Sequence, residues 1–238
     1  SCLEPLDLSC VTSVLDVGCG IGALLFALKK YVAEECAMYG LDFVKNRLKR
    51  GESLINGDCH QNIHFVYGSG YRIPFQDCYF DLVSCRYLLQ HIQELPRILK
   101  EMKRVTKPRG HILIMDINNL VPLEEEKYPN LYKRNISIQN LYTMKGLYPY
   151  TARDVISACE DAGLRLEQKI PVTRSPNSTV KIDKKREQYV HELLVNILHE
   201  LTEKEYQDSL KEMEILNTFD SDERYNAYSE YLLFLANQ

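Results

Sequence analysis

Gly18 and Gly20 leave the backbone bare inside the stretch VLDVGCGIGALLFAL, residues 14–28, where an apolar run gives way to a helical pattern. Asp16 stands two residues before the first of them, and Asp42 sits at the end of a second apolar run within AMYGLDF. Glycines at such a junction let a ligand approach the main chain closely. The helix that follows adds unpaired N–H groups and partial positive charge. The spacing Gly18-x-Gly20-x-x-Ala23 also satisfies the G-x-G-x-x-G/A pattern of dinucleotide sites, so the glycines alone fit two kinds of ligand. The carboxylates separate them. A carboxylate near a pyrophosphate repels it, whereas the same group attracts a cation.

Asp42 is placed to accept hydrogen bonds from a ribose diol, and Asp16 to meet a positive charge. S-adenosylmethionine carries an ammonium, a sulfonium and a ribose but no phosphate, and it suits both acids. Asp16 also admits a plainer role, a buried acid satisfying the N–H groups of the glycine loop. Three more residues have usable chemistry: Cys85 ends a fourth apolar run, YFDLVSC, and Arg86 and His91 follow it.

These residues need elements to position them. A strand over residues 11–17 feeds a helix from Gly22 to about Glu35, with Leu24, Leu25, Leu28 and Val32 at helical spacing. AMYGLDF is a second strand, followed by a helix through VKNRLKR. NIHFVYG and YFDLVSC are a third and a fourth strand. LPRILKEMKRVT is a helix stopped by Pro108 and Gly110, and HILIMDI is a fifth strand. Alternating strands and helices, with strands apolar throughout, predict a parallel sheet covered on both faces. Ligands then collect at the shared C-terminal edge of the strands.

Residues 118–150 read as irregular and tyrosine-rich, with Tyr128, Tyr132, Tyr142, Tyr148 and Tyr150. Thr151 and Asp154 open a further helix that Gly163 ends, and LRLEQKIPV is a sixth strand. Residues 184–219 predict two amphipathic helices, the first carrying Val190, Leu193, Leu194, Ile197, Leu198 and Leu201 on one face. Thr202 and Glu205 have the spacing of a capping box that starts the second. YLLFLANQ is a last strand. The expected fold is α/β, a Rossmann-like sheet of seven mostly parallel strands with helices on both faces, the last strand antiparallel, and a helical insertion. The chain reads as a single domain over 1–238, with its cofactor-binding core at 11–117 and insertions at 118–150 and 184–219 covering the acceptor.

Composition narrows the partners. The formal net charge is −4 and the basic residues form no stripe, which opposes nucleic acid, since phosphate binding relies on clustered positive charge. KIDKKRE, residues 181–187, reads as a solvated helix start. The eight cysteines, at 2, 10, 19, 36, 59, 78, 85 and 159, form no C-x-x-C pair, and no histidine stands at zinc-finger spacing, so no metal site is expected. Reduced thiols point to a cytoplasmic protein. No run of 18 apolar residues is long enough to span a membrane. The chain opens on SCLEPLDLSC without Met, and a preceding segment is expected.

LDVGCGIG resembles the first motif of class I S-adenosylmethionine-dependent methyltransferases. GSGYRIPFQDCYFDLVSCRYLLQHI is similar to the third and fourth strand region of their small-molecule branch, which includes the ubiquinone- and menaquinone-type enzymes. LKEMKRVTKPRGHILIMD is similar to the helix and fifth strand of that branch. The resemblance covers residues 11–117 well and 145–170 loosely. It implies that Gly18, Cys19 and Gly20 approach the methionine moiety, that Asp16 orients the loop and the amino end, and that Asp42 holds the ribose. It places Phe43 beside the adenine, Ser69 and Gly70 where the branch has Asp-Ala, and Cys85 next to the methyl group. Ser69 departs from that pattern, because a hydroxyl lacks the charge that strengthens a hydrogen bond.

The resemblance implies methyl transfer by in-line displacement, with alignment and exclusion of water as the main contributions. A hydroxyl or carbon acceptor needs a base. His91 is the candidate base, against a packing role. Arg86 is the candidate to orient an acidic substrate group, and Cys85 reads as a small wall residue. Elimination favours a small-molecule acceptor: there is no [DNS]-P-P-[YFW] motif, no P-C dipeptide and no double-glutamate loop. A protein or RNA acceptor, and a non-catalytic domain of this fold acting as partner or regulator, remain as alternatives. The C-terminal helices offer a face for a homodimer.

Overall fold

The computed structural model describes residues 2–55, 62–117, 125–148, 150–172, 184–218 and 230–237. In chain order the elements are β1 (Ser13–Val17), α1 (Ala23–Leu28), β2 (Ala37–Asp42), α2 (Lys45–Leu54), β3 (Ile63–Tyr67), β4 (Phe80–Arg86), a 3₁₀ turn (Leu89–His91), α3 (Leu95–Val105) and β5 (Thr106–Ile117). Then come α4 (Pro129–Met144), α5 (Ala152–Asp161), β6 (Leu164–Val172), α6 (Lys184–His191), a π-helical turn (Glu192–Ile197), α7 (Glu203–Thr218) and β7 (Glu230–Asn237). They divide into two compact units, residues 1–117, 152–172 and 230–238 in the first, and 118–151 and 173–229 in the second.

The first unit holds one seven-stranded sheet in the order β3-β2-β1-β4-β5-β7-β6. Neighbours from β3 to β5 are parallel, and β7 runs antiparallel to both β5 and β6. The strand alternation sends Val14, Leu82, Leu113 and Met115 to one face, where they join Leu24, Leu25 and Leu28 of α1 in one core cluster. Leu15, Val83, Cys85, Ile112 and Ile114 belong to the opposite face, and they too are fully buried. A strand buried on both sides is largely apolar on both, which is why β1 reads without alternation; its two polar residues, Ser13 and Asp16, are buried and hydrogen-bonded.

Two polar clamps close the N-terminal edge. Asp81, at the start of β4, accepts hydrogen bonds from the N–H and hydroxyl groups of Thr12 and Ser13 and from Lys107 Nζ at 2.7 Å. Burial would raise this carboxyl, but those donors outweigh it and bring it down to about 2. Asn237, at the end of β7, donates through Nδ2 to the carbonyls of Thr106 and Lys107.

The second unit is helical. Tyr128 and Leu131 pack with Met213 of α7, while Ile138 of α4 packs with Leu194, Leu201 and Tyr206. Glu212 of α7 accepts the Leu131 N–H and the Asn130 side-chain amide, both at 2.8 Å. One of the orphan main-chain donors at the start of α4 is thereby served.

Several expected boundaries move. The helix after the glycines ends at Leu28 rather than near Glu35, because Lys29 to Glu35 turn back to seat β2, with the Ala33 N–H donating to the Val11 carbonyl. β1 begins at Ser13 rather than at residue 11. α3 ends at Val105, three residues ahead of Pro108, and β5 begins at Thr106 instead of His111. Within 118–150, expected to be irregular, Pro129–Met144 is a sixteen-residue helix with Pro at its start, where a missing N–H does no harm. The first helix of 184–219 ends at His191 and passes into the π-helical turn. That turn leaves Ile197 58% exposed, off the buried stripe that straight helical spacing predicts. The Thr202–Glu205 capping box forms as expected. Of the expected insertions, 118–124, 149 and 219 lie outside the described residues, as do the run at 181–183 and Cys59.

Candidate functional site

β1 delivers the chain to the C-terminal edge of the sheet, where the glycine loop begins. Gly18 has φ +72°, and a Cβ there would stand 2.7 Å from Leu88 Cδ1, so the loop lies against the turn that follows β4. Gly20 has φ +58°, and a Cβ there would meet nothing within 4 Å. Glycine at this position serves the left-handed backbone and keeps the space above the loop open. The N–H groups of Gly18 and Cys19 both donate to the Leu41 carbonyl, at 2.7 and 3.0 Å. The loop is therefore tied to the end of β2.

Asp42 completes that tie. One carboxylate oxygen accepts the Gly20 N–H at 2.9 Å and the other the Val44 N–H at 2.8 Å. Its side chain is buried, but each oxygen keeps a lone pair for a further donor. Asp16 is 2% exposed and accepts from the Ser84 hydroxyl at 2.9 Å. The loop N–H groups go to Leu41 and Asp42, so the hydrogen bond given to Asp16 comes from β4. Burial raises the Asp16 carboxyl to about 7, against the lowering pull of the Ser84 hydrogen bond and the Arg86 charge. Burial thus disfavours the charged form, and a cation beside the carboxylate would offset that cost.

The other expected residues fall as follows. Phe43 is 68% exposed just beyond Asp42. Cys19 is buried in the loop, its thiol pushed up by burial and by Asp16 and Asp42. Gly40, which the sequence reading passed over, makes room for it: a Cβ on Gly40 would be 2.7 Å from Cys19 Sγ. Ser69 is exposed, and its hydroxyl accepts the Tyr71 N–H of its own loop at 3.2 Å. A Cβ on Gly70 would press on Ile98 and Val17, so Gly70 is a packing requirement. Cys85 is fully buried, and burial together with Asp116 and Asp16 drives its thiol well up, which disqualifies it as a thiolate nucleophile. Arg86 ends β4 with its guanidinium over the Tyr87 ring at 4.6 Å. His91 is exposed at the end of the 3₁₀ turn.

Asp116 was missed. It stands near the end of β5, 2% exposed, and accepts N–H groups from Leu89 at 2.9 Å and Ile117 at 2.8 Å. Burial brings its carboxyl up to about 6 against those two hydrogen bonds. The signal was present in HILIMDI, an apolar strand ending in an acid, as Asp42 ends AMYGLD.

Three buried acids thus line the C-terminal ends of β1, β2 and β5, beside a loop with open space above it. These acceptors fit a ligand bringing a cation to Asp16 and a diol to Asp42. Among the described residues, no group of three or more His, Cys, Asp or Glu side chains is arranged to hold a metal, and no helix is long and apolar enough to cross a membrane.

A family model described as a methyltransferase domain matches residues 9–163. Demethylmenaquinone methyltransferase of Shouchella clausii is 32% identical over 133 residues, 56% of this chain and 57% of that protein. The chloroplastic 2-phytyl-1,4-beta-naphthoquinone methyltransferase of Arabidopsis thaliana is 37% identical over 108 residues, 44% of this chain and 41% of that one. The chain spans about half the length of the curated relatives it matches. Among solved structures, a methyltransferase-fold protein from Bacillus halodurans superposes with a TM-score of 0.64 at 20% identity, over 99% of this chain and 96% of that one. At that identity the likeness speaks for the fold.

Proposed function

The chain belongs to the methyltransferase-domain family, and from that premise we propose that it transfers a methyl group from S-adenosylmethionine to a small-molecule acceptor. The observation that carries this reading is the pair of buried acids, Asp16 and Asp42, flanking a glycine loop with open space above Gly20. A dinucleotide would bring its pyrophosphate to that loop, beside the buried Asp16 carboxylate, and be repelled, whereas Asp42 suits the ribose of either ligand. Bound there, S-adenosylmethionine supplies an electrophilic methyl carbon on a sulfonium.

The protein's own part is binding, orientation and exclusion of water. Asp16 meets the ammonium, and Asp42 accepts from the ribose hydroxyls while it fixes the loop through the Gly20 N–H. Phe43 offers its exposed ring to the adenine face. Ser69 gives its hydroxyl oxygen to the Tyr71 N–H, so its remaining donor is what the adenine edge can use. Cys85 acts as a small, protonated wall. Held rigidly, aligned reactants contribute up to about 7–11 kcal/mol to lowering the barrier.

The acceptor is a small molecule in this reading, and the two naphthoquinone-methylating relatives make hydroquinone-type rings the first acceptors to assay. Calorimetry with S-adenosylmethionine and with NAD tests the first half: binding of the former alone is expected, and binding of neither favours a non-catalytic partner. A radiolabelled-methyl assay against size-fractionated extract tests the second. Label in metabolites is expected, and label confined to protein or RNA overturns the choice of acceptor.

A further inference from the structure

We propose that Arg86 recognises the α-carboxylate of S-adenosylmethionine, so that Asp16 and Arg86 together read the two charges of its amino-acid head. The inference rests on the methyl-donor reading above and names a binding residue within it.

The placement follows from the strands. Asp16 of β1 is in register with Ser84 of β4 and takes its hydrogen bond. Side chains on one strand return to the same face every second residue, so Arg86 stands on the Asp16 and Ser84 face, one step nearer the ligand edge. Two residues along a strand and one strand across put the Asp16 and Arg86 backbones roughly 8 Å apart. An arginine side chain spans that distance, so the two heads can serve groups attached to a single carbon.

The guanidinium is held ready and left unused. Its Nε is buried and has no hydrogen-bond partner within the protein, a condition rare among buried donors and one that leaves it free to meet a ligand. Its charge is felt at Asp16, yet the hydrogen bond that Asp16 accepts comes from Ser84, and among the described residues none joins it to Arg86. Opposite charges side by side, each with unspent bonding capacity, form a template for a zwitterion.

The local backbone points the same way. Tyr87, whose ring lies against the guanidinium, has φ +53°, a left-handed conformation that a non-glycine residue holds only when its surroundings force it. Here the Tyr87 N–H donates to the Met115 carbonyl at 2.9 Å, and the Leu89 N–H donates to Asp116. Leu88 between them packs on Gly18. The turn that aims Arg86 is therefore fastened at both ends and touches the glycine loop. Arg86 also sets a positive charge among acids that would otherwise repel the carboxylate of the donor.

The test compares S-adenosylmethionine with its decarboxylated analogue, which keeps the ammonium, the sulfonium and the ribose. By calorimetry, the unaltered protein is expected to bind the full compound at least tenfold more tightly. Arg86→Gln is expected to bind both alike, with affinity for the analogue within twofold of the unaltered protein's. Equal binding of both compounds by the unaltered protein overturns the inference even if the variant does not fold. So does a variant that loses both in proportion, or one that keeps the tenfold preference while its acceptor KM rises. If the unaltered protein binds neither compound, the methyl-donor reading itself falls, and that outcome is distinct from the others.

Discussion

The acids at the sheet edge and the acids of the helical unit are held in opposite ways. Asp16, Asp42 and Asp116 are buried, and their partners are few: one hydroxyl for Asp16, two main-chain N–H groups each for the others. Glu205 in the helical unit takes the Thr202 N–H, the Thr202 hydroxyl and Lys133. Glu212 takes a main-chain N–H and a side-chain amide at the start of α4. Burial raises Asp16 to about 7, whereas Lys133 and Thr202 lower Glu205 to about 2. One set is desolvated with capacity to spare, which costs stability and favours a ligand. The other is engaged in capping helices. The contrast supports the proposal that the edge binds the ligand, with the acids of the helical unit serving structure.

The strongest way to break that contrast is at Asp42. Asp42→Ala removes the proposed acceptor for the ribose diol and releases the Gly20 and Val44 N–H groups. Affinity for S-adenosylmethionine is expected to fall by about 100-fold or more, given roughly 1.5–3 kcal/mol for each hydrogen bond to a charged group. Calorimetry reads the loss, and circular dichroism checks that the fold survives.

Asp16→Asn follows. The ammonium pairs with the carboxylate and not with the acid, so affinity in the unaltered protein should fall as pH drops below about 7, by roughly tenfold per unit. The variant should bind weakly at pH 8 and show no such slope. The unliganded protein carries the complementary sign. A folded-state value above the unfolded one means stability is lost as pH rises from about 4 to 7, and Asp16→Asn removes that loss. An unchanged pH profile in the variant would place the cation elsewhere.

Much of the edge was legible because apolar strands ending in glycine or acid leave few alternatives. β2 ends at Asp42 and β6 spans Leu164–Val172, as read from the sequence. What the sequence hid was tertiary. The short α1 depends on Ala33 meeting Val11, and nothing local at Lys29 announces it. The helix over Pro129–Met144 has no apolar stripe strong enough to stand out among its tyrosines, because it buries Arg134 and Ser137 alongside Leu131 and Ile138. Asp116 was overlooked even though the rule that found Asp42 applies to it.

In the helical unit the expected effects turn from binding to stability. Glu212→Ala leaves the Leu131 N–H and the Asn130 amide without their acceptor. A loss of about 1–2 kcal/mol is expected in chemical denaturation, the usual worth of a helix cap. Affinity for S-adenosylmethionine should stay within twofold, and a larger change would erase the distinction drawn between the two sets of acids.

Glu205 gives the smallest effect and the sharpest sign. Its carboxylate closes the capping box at the start of α7 and meets Lys133 at 2.7 Å, on a partly exposed surface where screening trims the ion pair. Glu205→Gln keeps a side-chain oxygen for the Thr202 N–H and loses the charge, so a cost of about 0.5 kcal/mol is expected, read by chemical denaturation at pH 7. Because its folded-state carboxyl lies near 2, below the ordinary 4.5, this contribution is complete above pH 4.5 and vanishes as pH falls toward 2. Asp16 runs the other way over pH 4–7, where the unliganded protein gains stability on acidification. Titrating Asp16→Asn and Glu205→Gln side by side should therefore give stability differences of opposite slope with pH, and parallel slopes would mean that the two acids are held alike.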